Sequence, residues 1–548
     1  MKKRVLTIVK PVLFLALGVV MLWKAQDILT PSWGSNSNKI VSLENGTIPD
    51  FDVVFLGTSH VQDGISPMKL YEEYGVRALN LGTSAQPMGG SYFLLEKAFE
   101  NYNIETVFLD MSGMFIDETI CSGTDLNGYW RYILDNLSFG AFKFRVAKDY
   151  AQYTWSDGML SAMLPIISYH SNWASLTERN FCVTSNVHFD YDMGQDIFSM
   201  IVSAPAHFTE ENIDYATNFI NNFHSGRIIE SENGVASMET IERSLSVTSI
   251  SDTNLGYLTK IKELCDQHGS SLILFKIPTM RPPQWYKNAW TRIKSDLISQ
   301  IAEQFEVEFW DLQFHVDSLL SLETDTLDGG YHLNALGAEK VSDYIGARII
   351  AQHLAFRKTV PNYDKNLEIY QKVFRAIELQ TTSDFYEYLH LLKENSVDRS
   401  VIIAAADDYT LGFSDEDASA MKDLGLSLIL KGELRDSYIG VISSGETVYE
   451  ALSDYELEHI IQVPGAELDI VSRNGWIQDP GCSIKVNGQE QAQPASGLSI
   501  LVYDHETECV LDAVAVNINS DHSFTRNQAK SNGFLGVYES ALCEKEGW

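Results

Sequence analysis

Positive charge is what this chain has least of. Lys and Arg number 40 against 74 Asp and Glu, a formal net charge of −34 over 548 residues. Phosphate backbones are bound through clustered cations, so this balance argues against a nucleic-acid-binding protein and against broad docking onto anionic lipid. Cysteine is also scarce. The six cysteines include no C-x-x-C pair, which argues against a disulfide scaffold, a zinc ribbon or a thioredoxin-type site. Cys121 and Cys182, like Cys482 and Cys509, fall in one region each, but spacing alone does not fix a pairing. Repeats and low-complexity tracts are absent. What remains is globular, with 45% hydrophobic and 21% charged residues. At ~150 residues per domain the length allows two to four domains.

Long apolar runs are absent too, with one exception at the N-terminus. Lys2, Lys3 and Arg4 precede an apolar stretch from Val5 to Trp23 that only Thr7 and Lys10 interrupt. About 19 residues at 1.5 Å each match the hydrocarbon thickness of a bilayer. No small-x-small cleavage pattern follows, so the stretch reads as an uncleaved signal anchor rather than a removed signal peptide. Positive-inside logic puts the first ten residues in the cytoplasm and the body outside. The expectation is a single-pass membrane protein whose main body is extracytoplasmic, with residues 1–30 as stub and anchor.

From Phe51 to about Leu354, short apolar runs alternate with helical periods. The runs are Val53–Leu56, Ala78–Leu81, Thr106–Leu109, Ser271–Phe275 and Val307–Trp310. Their length and bounding Gly, Asp and Pro residues fit buried parallel strands. Amphipathic segments at Pro67–Tyr74, Ser91–Asn101, Asn254–His268 and Trp290–Phe305 lie between or after them. The pattern predicts an α/β, doubly wound parallel sheet with helices on both faces over residues 31–357. An aromatic-rich insertion at about 112–253 follows the third strand, where a substrate-shaping cap would sit. A connecting helix is expected at 358–382 and a smaller strand-rich domain at 383–548. In that last region Val401–Ala404, Tyr438–Ile442 and Leu498–Tyr503 read as strands and Asp415–Leu424 as a helix.

Three loops carry the residues with chemistry. The first strand runs into Gly57-Thr58-Ser59-His60. A serine on a turn between a buried strand and a helix exposes its Oγ beside free N–H groups and a positive dipole end. Gly-Thr-Ser is also an ordinary loop sequence. The second strand runs into Gly82-Thr83-Ser84, where Gly82 either offers an N–H to an oxyanion or serves only the turn. After the last strand, Asp328-Gly329-Gly330-Tyr331-His332-Leu333-Asn334 precedes an amphipathic helix. An Asp and a His on one loop can act as a base and its orienting carboxylate, although a lone His is as readily structural.

Taken together, these elements resemble the SGNH (GDSL-like) hydrolase family. The likeness is to the membrane-anchored branch that includes the D-alanyl-transfer proteins of teichoic acid modification and the alginate O-acetyltransferases. The resemblance rests on Gly57-Thr58-Ser59-His60 with Ile65-Ser66-Pro67, Asn80-Leu81-Gly82-Thr83-Ser84-Ala85-Gln86, Val107-Phe108-Leu109-Asp110, and His332-Leu333-Asn334 with Gly337-Ala338. It implies a flavodoxin-like SGNH fold, Ser59 as nucleophile, His332 as general base and Asp328 as its orienting partner. It also implies an oxyanion hole from the Ser59 and Gly82 N–H groups. Two departures stand out. The family has Asp three residues before His, where this chain has Gly329; Asp328 is one residue further and Asp325 is the fallback. The family's oxyanion Asn after the third strand is replaced by Asp110-Met111-Ser112-Gly113, with Ser112 as a substitute donor.

The resemblance implies serine-dependent acyl transfer on cell-envelope polysaccharide, as an O-acetyltransferase or an esterase, with no metal and no cofactor. A multi-pass membrane acyltransferase partner would supply the acyl group to a transferase. The alternative is a non-catalytic envelope scaffold or glycan-binding protein. In the C-terminal region, Ile402-Ile403-Ala404-Ala405-Ala406-Asp407-Asp408 and Leu434–Gly440 resemble an interleukin-like EMT inducer (ILEI-type) domain. Gly497–Asp504 resembles a strand that comes earlier in that domain, so the order is permuted. This second resemblance implies an accessory carbohydrate-binding role.

Overall fold

A computed structural model describes residues 2–31, 35–115, 124–152, 158–176, 191–195, 197, 250–279, 289–321, 324–327, 332–356, 360–431, 433–477, 479–493, 496–526 and 528–545. The chain divides into two compact units, Met1–Leu367 and Glu368–Trp548. The helix Pro361–Thr381 carries the chain from one to the other.

Helix α1 (Lys2–Leu29) opens the first unit. From Lys10 to Leu29 it is long and apolar enough to cross a membrane, and none of that stretch is buried against the rest of the protein. Helix α2 (Ser35–Asn45) follows. Five parallel strands then form the first unit's main sheet: β1 (Val53–Leu56), β2 (Ala78–Asn80), β3 (Thr106–Asp110), β4 (Ser271–Lys276) and β5 (Glu308–Asp311). Their order is β2-β1-β3-β4-β5, the flavodoxin-like doubly wound arrangement that the alternating runs predict. β1, β2 and β3 are buried at every position, which is why they read as continuous apolar runs and not as alternating ones.

Between the strands lie α3 (Ser59–Gly64), α4 (Pro67–Tyr74) and α5 (Met88–Asn101). α4 shows why its ends are where they are. Ser66 caps it by accepting from the Lys69 N–H, Pro67 opens it, and Gly75 closes it in the left-handed conformation. The described parts of the insertion hold α6 (Thr124–Leu134), α7 (Ala141–Tyr150), α8 (Gly158–Met163) and α9 (Ile166–Tyr169). Then come α10 (Asp252–His268), α11 (Ala289–Gln304), the short hairpin β6 (Thr326–Leu327) with β7 (His332–Leu333), and α12 (Ala335–Ala351). α5 packs with α10, and α4 packs with α12. Phe55, Phe108, Phe275 and Trp310 interlock as stacked and edge-to-face rings in the core.

The second unit is built on a ten-stranded sheet. Its centre is β8 (Arg399–Asp407), buried along nearly its whole length. β8 pairs antiparallel with β9 (Ser437–Ser443) and β15 (Gly497–Asp504), and meets β12 (Ala466–Asn474) in parallel at its end. β10 (Glu446–Ser453), β11 (Leu457–Val463), β13 (Gly481–Val486), β14 (Gln489–Glu490), β16 (Cys509–Asn517) and β17 (Ser523–Arg526) complete it. The helix Asp415–Asp423 lies where its periodicity places it, closed by a capping box between Ser414 and Asp417. Helices Phe385–Glu394 and Gln528–Lys545 add helical content beyond the strand-rich expectation. Cys482 and Cys509 are free thiols; Cys121 and Cys182 lie outside the described residues.

Candidate active site

The carboxyl ends of β1, β2 and β3 meet at one place, where an open α/β sheet binds its ligands. β1 ends at Leu56, and the chain turns through Gly57 and Thr58 into α3, whose first residue is Ser59. Ser59 Oγ lies 2.8 Å from His332 Nε2, a hydrogen bond between groups 273 residues apart in sequence. His332 sits on β7, immediately before Leu333 and the α12 cap residue Asn334, which accepts from the Gly337 N–H. Both partners are half-buried, so the pair is reachable from solvent. The His60 ring stacks on the His332 ring at 5.0 Å between centroids, and His60 itself is buried.

The turn before Ser59 needs glycine. A Cβ on Gly57 would lie 2.5 Å from Asp110 Cβ and 2.6 Å from Val61 Cγ2. Asp110 ends β3 and is fully buried beneath this turn. Its carboxylate accepts from Ser112 Oγ at 3.0 Å and Thr58 Oγ1 at 3.3 Å. Burial pushes the Asp110 carboxyl up to about 6, against the pull of those hydroxyls and of Lys276. Because Thr58 gives its hydroxyl to Asp110, its side chain does not cap α3. The Thr58 carbonyl instead accepts from the Val61 N–H at 2.9 Å and the Gln62 N–H at 3.2 Å. Lys276 and Asp311, the last residues of β4 and β5, face each other in register. Burial lowers the Lys276 pKa, and Asp311 and Asp110 oppose that shift.

Gly82 and Ser112, the two further oxyanion candidates, are both engaged. The Gly82 N–H donates to Asn80 Oδ1 at 3.0 Å, and its carbonyl accepts from Lys39 Nζ at 2.8 Å. Ser112 Oγ is held by Asp110 Oδ1. Neither is open as an oxyanion donor in this arrangement, because each serves the scaffold under the turn. Asp325, the fallback partner for His332, is buried and ion-paired with Lys340 at 2.7 Å, and also accepts from the Ser321 N–H and Thr324 Oγ1. Its carboxylate is committed to the start of the hairpin and not to His332. Asp328 lies outside the described residues, as does Arg281-Pro282-Pro283.

Several residues that build the site have no role assigned to them from the sequence, although Asn80 and Gln86 lie within a quoted motif. Asn80 ends β2 and donates from Nδ2 to the Val61 and Ile65 carbonyls, tying β2 to α3. Gln86 Oε1 accepts from the Gly57 N–H while its Nε2 donates to the Leu81 carbonyl. Lys39 of α2 is buried and bridges the Gly82 and Gly194 carbonyls. The Asn80 N–H donates to the Met193 carbonyl, so part of the insertion returns to the edge of β2 beside the site. A readable signal is that polar residues, Asn80, Asp110, Lys276 and Asp311, close four of the strands at the same sheet edge.

No family model matches the chain, and no curated protein matches it. Among solved structures, it is similar to a proposed acylhydrolase from Bacteroides fragilis NCTC 9343 at 11% identity and a TM-score of 0.27, over 60% of this chain and 100% of that one. It is also similar to a proposed platelet activating factor from Streptococcus pneumonia at 11% identity and a TM-score of 0.26, over 62% of this chain and 99% of that one. The fold class stands on the strand order itself.

Proposed function

We propose that this protein is a membrane-anchored, extracytoplasmic serine acyltransferase or esterase acting on O-acyl groups of cell-envelope polysaccharide. The observation that carries the reading is the 2.8 Å hydrogen bond between Ser59 Oγ and His332 Nε2 at the carboxyl edge of the sheet. A serine hydroxyl is a weak nucleophile until a base accepts its proton, and a histidine at this distance is such a base. Ser59 Oγ attacks the acyl carbonyl as His332 takes its proton. The C–O bond to the leaving alcohol then breaks as His332 returns that proton to it, which leaves an acyl-serine. Water or a sugar hydroxyl, deprotonated in turn by His332, releases the acyl group and restores Ser59. Asp328 is assigned the orienting role on His332, and the Ser59 N–H is assigned to the oxyanion.

The motif resemblance to SGNH hydrolases supports the reaction class. The apolar α1 supports anchoring with the body outside, where envelope glycan is the substrate at hand and a multi-pass membrane acyltransferase is the donor for transfer. The C-terminal unit is assigned an accessory, glycan-tethering role. The test is release of p-nitrophenol from its acetate ester by the full chain in detergent, repeated with Ser59→Ala and His332→Ala. Loss of turnover in both variants supports the reading, and an inert wild type argues against it. One observation favours a second reading, a non-catalytic envelope scaffold: Gly82 and Ser112 are both engaged internally. A serine-directed phosphonate separates the two, because a scaffold leaves Ser59 unlabelled.

A further inference from the structure

The segment Gly158–Leu176 contains no Asp, Glu, Lys or Arg, in a chain that carries 114 such residues in total (40 basic and 74 acidic). Its polar face is firmly held. The buried Arg131 pairs with Asp135 at 3.0 Å, and donates to the Ser161 carbonyl and to Ser168 Oγ. Tyr169 donates to Asp135 at 2.6 Å, and Ser161 and Ala162 are buried. The opposite face is apolar and bare. Leu160, Leu164 and Ile167 recur at helical spacing and are exposed, and Trp173 beyond them is 71% exposed. A held segment with an unpartnered apolar face is not a loose loop, and its bareness needs a covering.

Its position says what covers it. α9 and the following turn, His170–Ser175, pack against α1, and Asn172 Nδ2 donates to the Leu29 carbonyl at 3.1 Å. Leu29 is the last residue of the stretch able to cross a membrane. The bare face is therefore continuous with the body-side end of that helix. We propose that Leu160, Leu164, Ile167 and Trp173 form a membrane-resting surface that seats the first unit in the interfacial layer of the same bilayer that α1 spans. Such faces sink about 5–10 Å into the headgroup and acyl boundary, with tryptophan at headgroup level. The absence of cations fits a neutral interface. Anionic lipid has nothing here to attract it, and the acidic remainder of the chain is kept off it. This inference rests on the reading of α1 as a membrane anchor.

The test uses the full chain in phosphatidylcholine nanodiscs whose acyl chains carry a photoactivatable diazirine, with lipid adducts mapped by mass spectrometry. Adducts are expected on peptides from 10–29 and 158–176, and none on α10, 252–268. Leu164→Asp combined with Trp173→Asp is expected to reduce labelling of 158–176 to the α10 level and to leave 10–29 unchanged. Adducts on 10–29 alone overturn the surface while leaving the anchor standing. Copy-to-copy cross-links through 158–176 assign the face to a second chain and overturn it as well. No adducts on 10–29 overturn the anchor reading, and the proposed surface falls with it.

Discussion

Lys39 Nζ donates to the Gly82 carbonyl, so the first helix after the apolar N-terminal one is fastened to the turn that follows β2. The same ammonium donates to the Gly194 carbonyl, and three separate stretches of sequence meet on one buried cation. Removing that cation strands two buried carbonyls. Each unsatisfied buried acceptor costs roughly 1–3 kcal/mol. Lys39→Met is therefore expected to destabilise the first unit by about 2–6 kcal/mol, measured as a lower urea midpoint at unchanged slope. A midpoint equal to wild type refutes the bridge.

Asp325 and Asp328 are separated by outcome. Asp325→Asn breaks the pair with Lys340 and is expected to lower stability by about 1–3 kcal/mol, with the pH–rate profile unmoved. Asp328→Asn is expected to cut kcat by on the order of 10²-fold or more, with stability nearly unchanged. A kcat loss in Asp325→Asn at constant pH profile, with Asp328→Asn inert, would reverse the assignment.

The glycines under the Ser59 turn leave no room for a side chain. A Cβ on Gly82 would lie 2.5 Å from the Gln62 backbone nitrogen and 2.9 Å from Val61 Cβ, as close as the clash described for Gly57. Gly82→Ala and Gly57→Ala are each expected to cost about 1–3 kcal/mol and to reduce turnover, because the strain is relieved by moving α3. Gly256→Ala on α10, where a Cβ meets nothing within 4 Å, is the contrast and is expected to stabilise by about 0.5–1 kcal/mol. Thermal melting of the three variants checks the contrast.

Asp110 gives the first unit a pH dependence of definite sign. Its folded carboxyl titrates at about 6, above the ordinary carboxylate value of 3.8. Between those values the folded state holds a proton that the unfolded chain has released, so stability falls as pH rises through this window. Each pH unit of that window is worth about 1.4 kcal/mol, so above about pH 6 the full cost is on the order of 3 kcal/mol. Asp110→Asn removes the charge and is expected to flatten the melting temperature between pH 4 and 6 without lowering it at pH 8. A variant that keeps the wild-type slope refutes the assignment to Asp110.

In the second unit, Arg526 pairs with the buried Asp512 at 3.3 Å, and Tyr388 donates to the same carboxylate. Arg526→Met leaves an uncompensated buried charge and is expected to destabilise that unit by about 3–5 kcal/mol. Arg526→Met combined with Asp512→Leu is expected to recover most of the loss in a double-mutant cycle.

The five strands of the first unit are legible in the sequence because buried parallel strands announce themselves as short apolar runs between glycine and aspartate. Helices such as Pro67–Tyr74 are legible through their caps. Ser59 and His332 are legible as residue types on two loops, and the structure brings them within 2.8 Å. What sequence does not resolve is which hydrogen bond each polar group has already made. Gly82 and Asn80 are two residues apart, and nothing in their order tells that the asparagine oxygen occupies the glycine N–H. Asp325 reads as a plausible histidine partner until Lys340, a turn along α12, is seen to hold it. Phe385–Glu394 escapes notice because its few apolar-rich turns sit within a region dominated by strand signals.

The register of β8 against β15 joins Arg399 to Asp504 and Ala406 to Gly497. The central pair of the second unit thus closes a loop of about 100 residues, and non-local closures of this kind fold in milliseconds to seconds, not microseconds. During that interval β8, apolar on both faces, presents an unpaired edge. Any chain cut short before Gly497 keeps that edge permanently. Shortened forms of this unit are accordingly expected to aggregate through Val401–Ala404, and the stretch from Gly497 onward acts as its built-in protection against self-association.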